Sequence, residues 1–223
     1  NELPGIIKQI RNKEISGINI TLPYKQKIVS HVDTVINDAE ITSSVNTIYL
    51  DNQENIIGEN TDVFGLQAAY LKEIDNASKK KALIIGAGGV SPSVILSLQK
   101  SGIQEISITN RTREKCIFLK NKFSSLKMIE WNKLQEEIKN FDIIINATSL
   151  GLKGNKDFDF NFEKIKSNLI YIDTIYNPLE TKTIKYLKKM DIKVFNGLNM
   201  FIYQGQKAFY LWNKINPEID EKL

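Results

Sequence analysis

Cysteine and histidine are nearly missing from this chain: Cys116 and His31 each stand alone among its 223 residues. A single thiol rules out a disulfide framework within the chain and points to a reducing compartment. Cys116 reads as a small apolar helix residue, and His31 as a surface or partly buried helix residue rather than a catalyst. Long apolar runs are missing too. None exceeds strand length, far below the roughly twenty residues of a membrane span. The chain does not open with the charged, apolar and cleavable parts of a secretory signal, so a cytoplasmic location is expected. Charge of one sign is scarce: 30 Lys and Arg against 26 Asp and Glu leave a net +4. That mild balance suits anionic small molecules, and the scattered basic residues form no stripe for nucleic acid. Repeats and low-complexity segments are absent, and no metal is expected. With 42% hydrophobic and 25% charged residues, the composition is that of a globular protein long enough to bury a sizeable core.

What is present begins with Ala82-Leu83-Ile84-Ile85-Gly86-Ala87-Gly88-Gly89-Val90-Ser91. An apolar run reads as a buried strand, and the glycine turn leads into helical spacing at Val94, Ile95 and Leu98. A strand, a tight glycine turn and a helix N-terminus make a phosphate cradle, because backbone N–H groups and the helix dipole favour negative charge. Ser91 stands where the usual pattern has a third glycine, and its small size still permits close helix–strand packing. The next strand, Glu105 to Thr109, ends at Asn110-Arg111-Thr112 with Lys115 nearby. An NAD site places a carboxylate at this strand end to bind the ribose 2′-hydroxyl. Here a guanidinium stands instead, which suits the 2′-phosphate of NADP. A solvated basic helix start is the purely structural reading of the same residues.

The chain divides into three regions: residues 1–75, 79–196 and 197–223. The first is expected to hold a helix over Leu3 to Arg11, a strand over Gly17 to Thr21, the loop Leu22 to Lys25 and a helical stretch near Ile28 to Val35. Strands over Val45 to Leu50 and Ile56 to Gly58 flank the polar hairpin turn Asp51 to Asn55. A helix from Val63 to Ile74 leads to the polar linker Asn76 to Lys81. The second region alternates strands, including Ile143 to Asn146, Leu169 to Asp173 and Lys193 to Asn196, with helices, the pattern of a doubly wound parallel sheet. The third is expected to be a helical pair from Met200 onward, broken near Asn216-Pro217. Trp131 and Trp212 read as packing residues.

Lys25 and Asp62 follow different strands of the first region. If those strands share a sheet, both side chains emerge at one edge, where a lysine beside a carboxylate can relay a proton to a bound hydroxyl. A surface ion pair is the alternative. Asn46 has a structural alternative in a strand-end hydrogen bond.

Taken together, these strings resemble the shikimate dehydrogenase family. The matching strings are Gly17-Ile18-Asn19-Ile20-Thr21-Leu22-Pro23-Tyr24-Lys25, Val45-Asn46-Thr47, Gly58-Glu59-Asn60-Thr61-Asp62 and Gly86-Ala87-Gly88-Gly89. They continue as Asn110-Arg111-Thr112, Asn146 to Gly151, Asp173 to Pro178, and Gly197 to Met200 with Gln204. The resemblance runs from about residue 3 to Trp212. It implies a Rossmann-type doubly wound sheet plus a smaller α/β substrate-binding domain, to which C-terminal helices return. It also implies reversible, NADPH-dependent reduction of 3-dehydroshikimate to shikimate in aromatic amino-acid biosynthesis. On this resemblance Lys25 and Asp62 are catalytic, while Thr21, Asn46, Asp62, Tyr176 and Gln204 bind substrate. Gly86, Ala87, Gly88, Gly89 and Val90 hold the pyrophosphate, and Asn110, Arg111, Thr112 and Lys115 the 2′-phosphate side. Thr148, Ser149, Thr174, Gly197 and Met200 line the nicotinamide end.

The sequence departs from the family at several places. The family opens with a strand and a Ser-x-Ser-Pro loop gripping the substrate carboxylate; no such string stands here, so the substrate-binding domain is expected to be N-terminally incomplete. Val63 and Pro92 replace a common glycine and a frequently basic residue, and Asn196 a common aspartate. Alternative functions are an NAD-dependent quinate/shikimate dehydrogenase, a catalytically silent NADP-binding module and a dehydrogenase of another cyclic substrate. No nucleic acid or membrane partner is expected, and a monomer or a homodimer fits equally.

Overall fold

The computed structural model describes residues 3–21, 23–72, 74–158 and 161–220. Leu22 of the expected loop and Glu73 of the expected bridging helix lie outside the described residues. The chain opens with α1 (Leu3–Arg11), as the apolar spacing at Leu3, Ile6, Ile7 and Ile10 predicts. β1 (Gly17–Asn19) follows, then a 3-10 turn (Lys27–His31) and β2 (Thr34–Val35). The helical reading of Ile28 to Val35 is therefore wrong in its second half. Asp33 explains why: its carboxylate accepts the Ile56 amide at 2.8 Å and its own amide donates to the Ile56 carbonyl, drawing the segment onto a sheet edge. A short helix not expected from the sequence, α2 (Asp38–Thr42), leads to β3 (Thr47–Leu50) and β4 (Ile56–Glu59). Between them the Asp51 carboxylate accepts the amides of Gln53 and Asn55, closing the hairpin. The small sheet runs β1-β3-β4-β2, with only the β2–β4 pair parallel.

The expected Val63–Ile74 helix is real but irregular. α3 (Asp62–Leu66) widens into a π-helical turn over Gln67–Leu71. The wide turn carries Tyr70, whose hydroxyl donates to the Asn196 carbonyl and accepts the Met200 amide. Such turns recur near functional sites.

The large sheet comprises β5 (Lys81–Ile85), β6 (Glu105–Thr109), β7 (Lys127–Met128), β8 (Ile143–Asn146), β9 (Ile170–Asp173) and β10 (Lys193–Phe195). Its order is β10-β9-β8-β5-β6-β7, and every pair is parallel. Between and beside the strands lie α4 (Ser91–Lys100), α5 (Arg113–Lys122), α6 (Leu134–Glu137) and α7 (Lys182–Lys188). Residues of β5 alternate between two cores. Ala82 and Ile84 pack with Val94, Ile95, Leu98 and Cys116 on one side; Leu83 and Ile85 pack with Leu134, Ile138 and Leu187 on the other. A parallel sheet needs that burial on both faces. Strand order reverses at β5, which has β6 on one flank and β8 on the other, and ligands of such sheets bind at the carboxyl ends beside this reversal.

The C-terminal region departs from expectation. It is one helix, α8 (Leu198–Asn213), ending at the left-handed Lys214, and no second helix follows among the described residues. Ile215 remains 63% exposed, and Pro217 biases Asn216 toward extended backbone, so the helix does not continue. Leu211 of α8 packs on Tyr49 and Ile57, and the Trp212 indole donates to the Ile48 carbonyl at 3.2 Å. The last helix thus lies on the first sheet.

Candidate active site

Lys25 lies in the loop after β1, and its carbonyl accepts the Val45 amide. Its Nζ stands 2.6 Å from Asp62 Oδ2, and the two side chains are only 12% and 6% exposed. A desolvated ion pair is costly unless its remaining lone pairs are satisfied. Here Asn46 Nδ2 donates to Asp62 Oδ1 at 2.9 Å, and Asn46 Oδ1 accepts the Thr61 amide at 2.7 Å, which fixes the orientation of the amide. From α8, Gln204 Oε1 sits 3.3 Å from both Asn46 Nδ2 and Thr61 Oγ1. Gln204 Nε2 donates to the Phe201 carbonyl, and the Phe201 ring stacks on Tyr176 at 4.7 Å between centroids. Lys25, Asp62, Asn46 and Gln204 therefore form one bonded cluster, with Tyr176 one residue beyond it. Asp62 occupies one of the three ammonium donors of Lys25. Thr21 is exposed and makes no hydrogen bond to this cluster among the described residues; its carbonyl accepts the Tyr24 amide.

At the carboxyl end of β5, Gly86 adopts φ +115°, and a Cβ there would lie 2.7 Å from Thr148 and 2.8 Å from the Ala147 backbone. A side chain at Gly88 would meet a single atom within 4 Å, so its backbone is open to approach. Ser91 bridges the turn: its hydroxyl accepts the Gly88 amide and donates to the Gly86 carbonyl, both at 2.9 Å. The serine in place of glycine is thus a turn-closing residue. Gly89 and Val90 carry the turn into α4, where the Ser91 amide donates to the Gly88 carbonyl at 3.1 Å and Pro92 has no N–H, so the helix start offers an anion its dipole rather than these two amides. Asn110 Oδ1 accepts the Ala87 amide at 3.3 Å, and Asn110 Nδ2 donates to the Thr112 carbonyl, folding the strand end onto the turn. Arg111 and Lys115 are exposed there, and Arg111 has no partner among the described residues. No carboxylate stands between Thr109 and Arg113. These residues fit a nucleotide diphosphate bearing a 2′-phosphate.

Asn146 organises the neighbouring strand ends. Its Oδ1 accepts the amide and hydroxyl of Thr148, its carbonyl accepts the Thr174 hydroxyl, and its Nδ2 donates to Asp173 Oδ1 at 2.9 Å. Asp173 also accepts the Ile175 amide and the Thr181 hydroxyl; burial pushes its carboxyl up to about 6. Ser149 is exposed in the following turn. Gly197 comes so close to Thr174 that a Cβ would stand 2.4 Å from its carbonyl oxygen. α8 starts beside it, with the Met200 carbonyl against Gly65 and Gln204 one turn further on. A single helix therefore runs from the Thr174 loop to the Lys25 cluster.

Asn60, Thr61, Asn146 and Asp173 were not singled out by sequence reasoning, although each lies inside a matched string. The signal available was a short polar side chain directly at a strand's carboxyl end. Asn196, which stands in place of a common aspartate, accepts the Leu198 amide at the start of α8. Val63 is fully buried, with its carbonyl accepting the Ser97 hydroxyl, and Pro92 is buried in the first turn of α4. His31 lies half-buried beside the Lys27 carbonyl, away from the cluster.

A doubly wound sheet with a glycine turn, joined to a buried lysine–carboxylate pair on a second sheet, defines the class of nucleotide-fold oxidoreductases. Comparison with known proteins narrows this class. A family model for shikimate/quinate 5-dehydrogenase matches residues 69–192, and one for the shikimate dehydrogenase substrate-binding domain matches residues 1–48. The NADP-dependent shikimate dehydrogenase of Pelagibacter ubique is 45% identical over 222 residues, covering 100% of this chain and 82% of that protein. The crystal structure of shikimate dehydrogenase from Aquifex aeolicus superposes with a TM-score of 0.88 at 35% identity, covering 97% of this chain and 79% of that one. The Thermus thermophilus enzyme, solved with NADP(H) and shikimate, gives 0.85 at 31% identity, with 97% and 79% covered. The chain belongs to the shikimate dehydrogenase family.

Proposed function

We propose that this chain catalyses the reversible reduction of 3-dehydroshikimate to shikimate with NADPH. The observation that carries the reading is the Lys25–Asp62 pair at 2.6 Å, held by Asn46 and tied through Gln204 to the helix that begins beside Gly197. NADPH supplies the hydride when bound. Lys25 Nζ–H donates the proton to the carbonyl oxygen of the substrate as that oxygen gains charge, and recovers it from the shikimate hydroxyl in the reverse direction. Asp62 holds the ammonium in place and accepts a substrate hydroxyl. Asn46 and Gln204 orient the ring, with Tyr176 and Thr21 at the rim. Gly86 to Val90 receive the pyrophosphate, and Asn110, Arg111, Thr112 and Lys115 the 2′-phosphate. Thr148, Ser149, Thr174, Gly197 and Met200 shape the nicotinamide end.

The relatives carry the same activity by name, and the lack of a carboxylate beside Arg111 argues against the NAD-dependent quinate alternative. The test is the appearance of reduced cofactor with shikimate plus NADP, compared with quinate plus NAD. Faster turnover of the first pair is expected. Faster turnover of the second overturns the substrate and cofactor assignment, and NADP binding without shikimate binding or turnover turns the chain into a silent nucleotide module.

A further inference from the structure

Asn60 is buried at 3% exposure and is neither a proposed substrate contact nor part of the glycine turn. Its carboxamide nevertheless joins the two. Oδ1 accepts the Asp62 amide at 3.0 Å and the Val63 amide at 3.4 Å, so it sets the first turn of α3 and with it the placement of Asp62. Nδ2 donates to Thr42 Oγ1 at 3.1 Å, to the Ser44 carbonyl at 2.8 Å and to Ser93 Oγ at 2.9 Å. Ser93 is fully buried on α4, two residues past the Ser91 that closes the glycine turn. The Ser44 hydroxyl meanwhile reaches the Gly89 carbonyl at 3.4 Å. One side chain thus bonds the backbone of the catalytic carboxylate and the first turn of the helix that follows the phosphate cradle.

We propose that Asn60 is a positioning residue that couples Asp62 to the cofactor's glycine turn, so that cofactor and substrate each tighten the other's binding through it. The inference rests on the reduction proposed above, because it takes NADPH and shikimate as the two ligands. Every partner of the amide is buried, and an amide has one donor end and one acceptor end. A shift of the α4 N-terminus toward a bound pyrophosphate therefore moves Ser93, and the amide must follow or lose a bond in a dry site. The Asp62 amide sits on its other end. Coupling between two binding sites is reciprocal by linkage.

The experiment is titration of the intact protein with shikimate, alone and in saturating NADPH, a pair that binds without turning over. In the wild type, NADPH is expected to tighten shikimate by about fivefold or more. Ser93→Ala removes only the α4 end of the bridge and should bring that ratio close to one. Asn60→Asp keeps the acceptor toward the Asp62 amide, loses the donor, and should lose the ratio as well. Ser97→Ala is the control: its hydroxyl bonds the Val63 and Ser93 carbonyls but not Asn60, and it should keep the wild-type ratio. A wild-type ratio of one, full coupling in Ser93→Ala, or equal loss in Ser97→Ala overturns the proposal. Absence of shikimate binding and turnover in the wild type overturns the functional reading too, which distinguishes the two failures.

Discussion

The two sheets of this protein do their work by opposite means. The large sheet is parallel throughout and apolar on both faces, and what it offers a ligand is mostly backbone: a glycine turn, a helix start and a strand end shaped by Asn110 and Asn146. The small sheet has strands of two to four residues, and its edge carries a side-chain network in which Lys25, Asp62, Asn46, Thr61 and Gln204 satisfy one another. A phosphate cradle needs little more than conformation, so a contiguous run of residues suffices. A proton relay needs a charge held at a set place in low dielectric, and residues from distant parts of the chain must meet to hold it.

The contrast can be tested from either side. Lys25→Ala removes the proposed proton donor of the small sheet and leaves the glycine turn intact. Turnover should fall by about 10²–10⁴-fold, while NADPH affinity, followed by fluorescence titration, stays near the wild-type value. A variant that keeps most of its rate would dissolve the assigned division of labour. Arg111→Ala attacks the other side. Losing a charge-assisted contact of about 1.5–3 kcal/mol should weaken NADP by roughly ten- to a hundredfold. NAD should scarcely respond, and equal losses for both cofactors would remove the 2′-phosphate argument. The smallest expected effect concerns Asp173, a buried carboxyl at the end of β9 that Asn146 and Thr181 bond. Its folded value near 6 lies above the ordinary 3.8, so the native state holds its proton more tightly than the unfolded chain does. Stability from this group is therefore greatest below the unfolded value, declines as pH rises toward 6, and stays flat above. Thermal melts of Asp173→Asn against wild type should show a difference that changes between about pH 4 and pH 6 and is constant beyond it. A constant difference throughout would mean that Asp173 ionises as freely in the fold as outside it.

Much of the large sheet was legible because its signals are local. Ala82 to Ile85 read as a buried strand, and Gly86 to Val90 as a turn into a helix, with no knowledge of anything distant. α1 was equally plain from its apolar spacing. The misreadings fall where tertiary contacts overrule local preference. Thr34 and Val35 became a strand because Asp33 anchors them to Ile56, and residues beyond Lys214 stayed irregular, tied back to α8 where Gln206 donates to the Pro217 carbonyl. The π-helical turn at Gln67–Leu71 has no local signature at all. Of the site, the motif strings carried Lys25, Asp62, Asn46 and Gln204, whereas Asn60, Asn146 and Asp173 stood out only once their partners were visible.

By itself, the order of residues determined the main strands of the large sheet, the tight glycine turn that follows Ile85, and that a basic rather than acidic side chain follows β6. These depend on near neighbours and on side-chain chemistry that travels with the residue. Only the folded chain decided that positions 25, 46, 62 and 204 share one desolvated cluster, and that Asn60 reaches Ser93. Hydrogen bonds and ion pairs act over a few ångströms of space, and separation along the chain does not reveal which polar groups that short range will join.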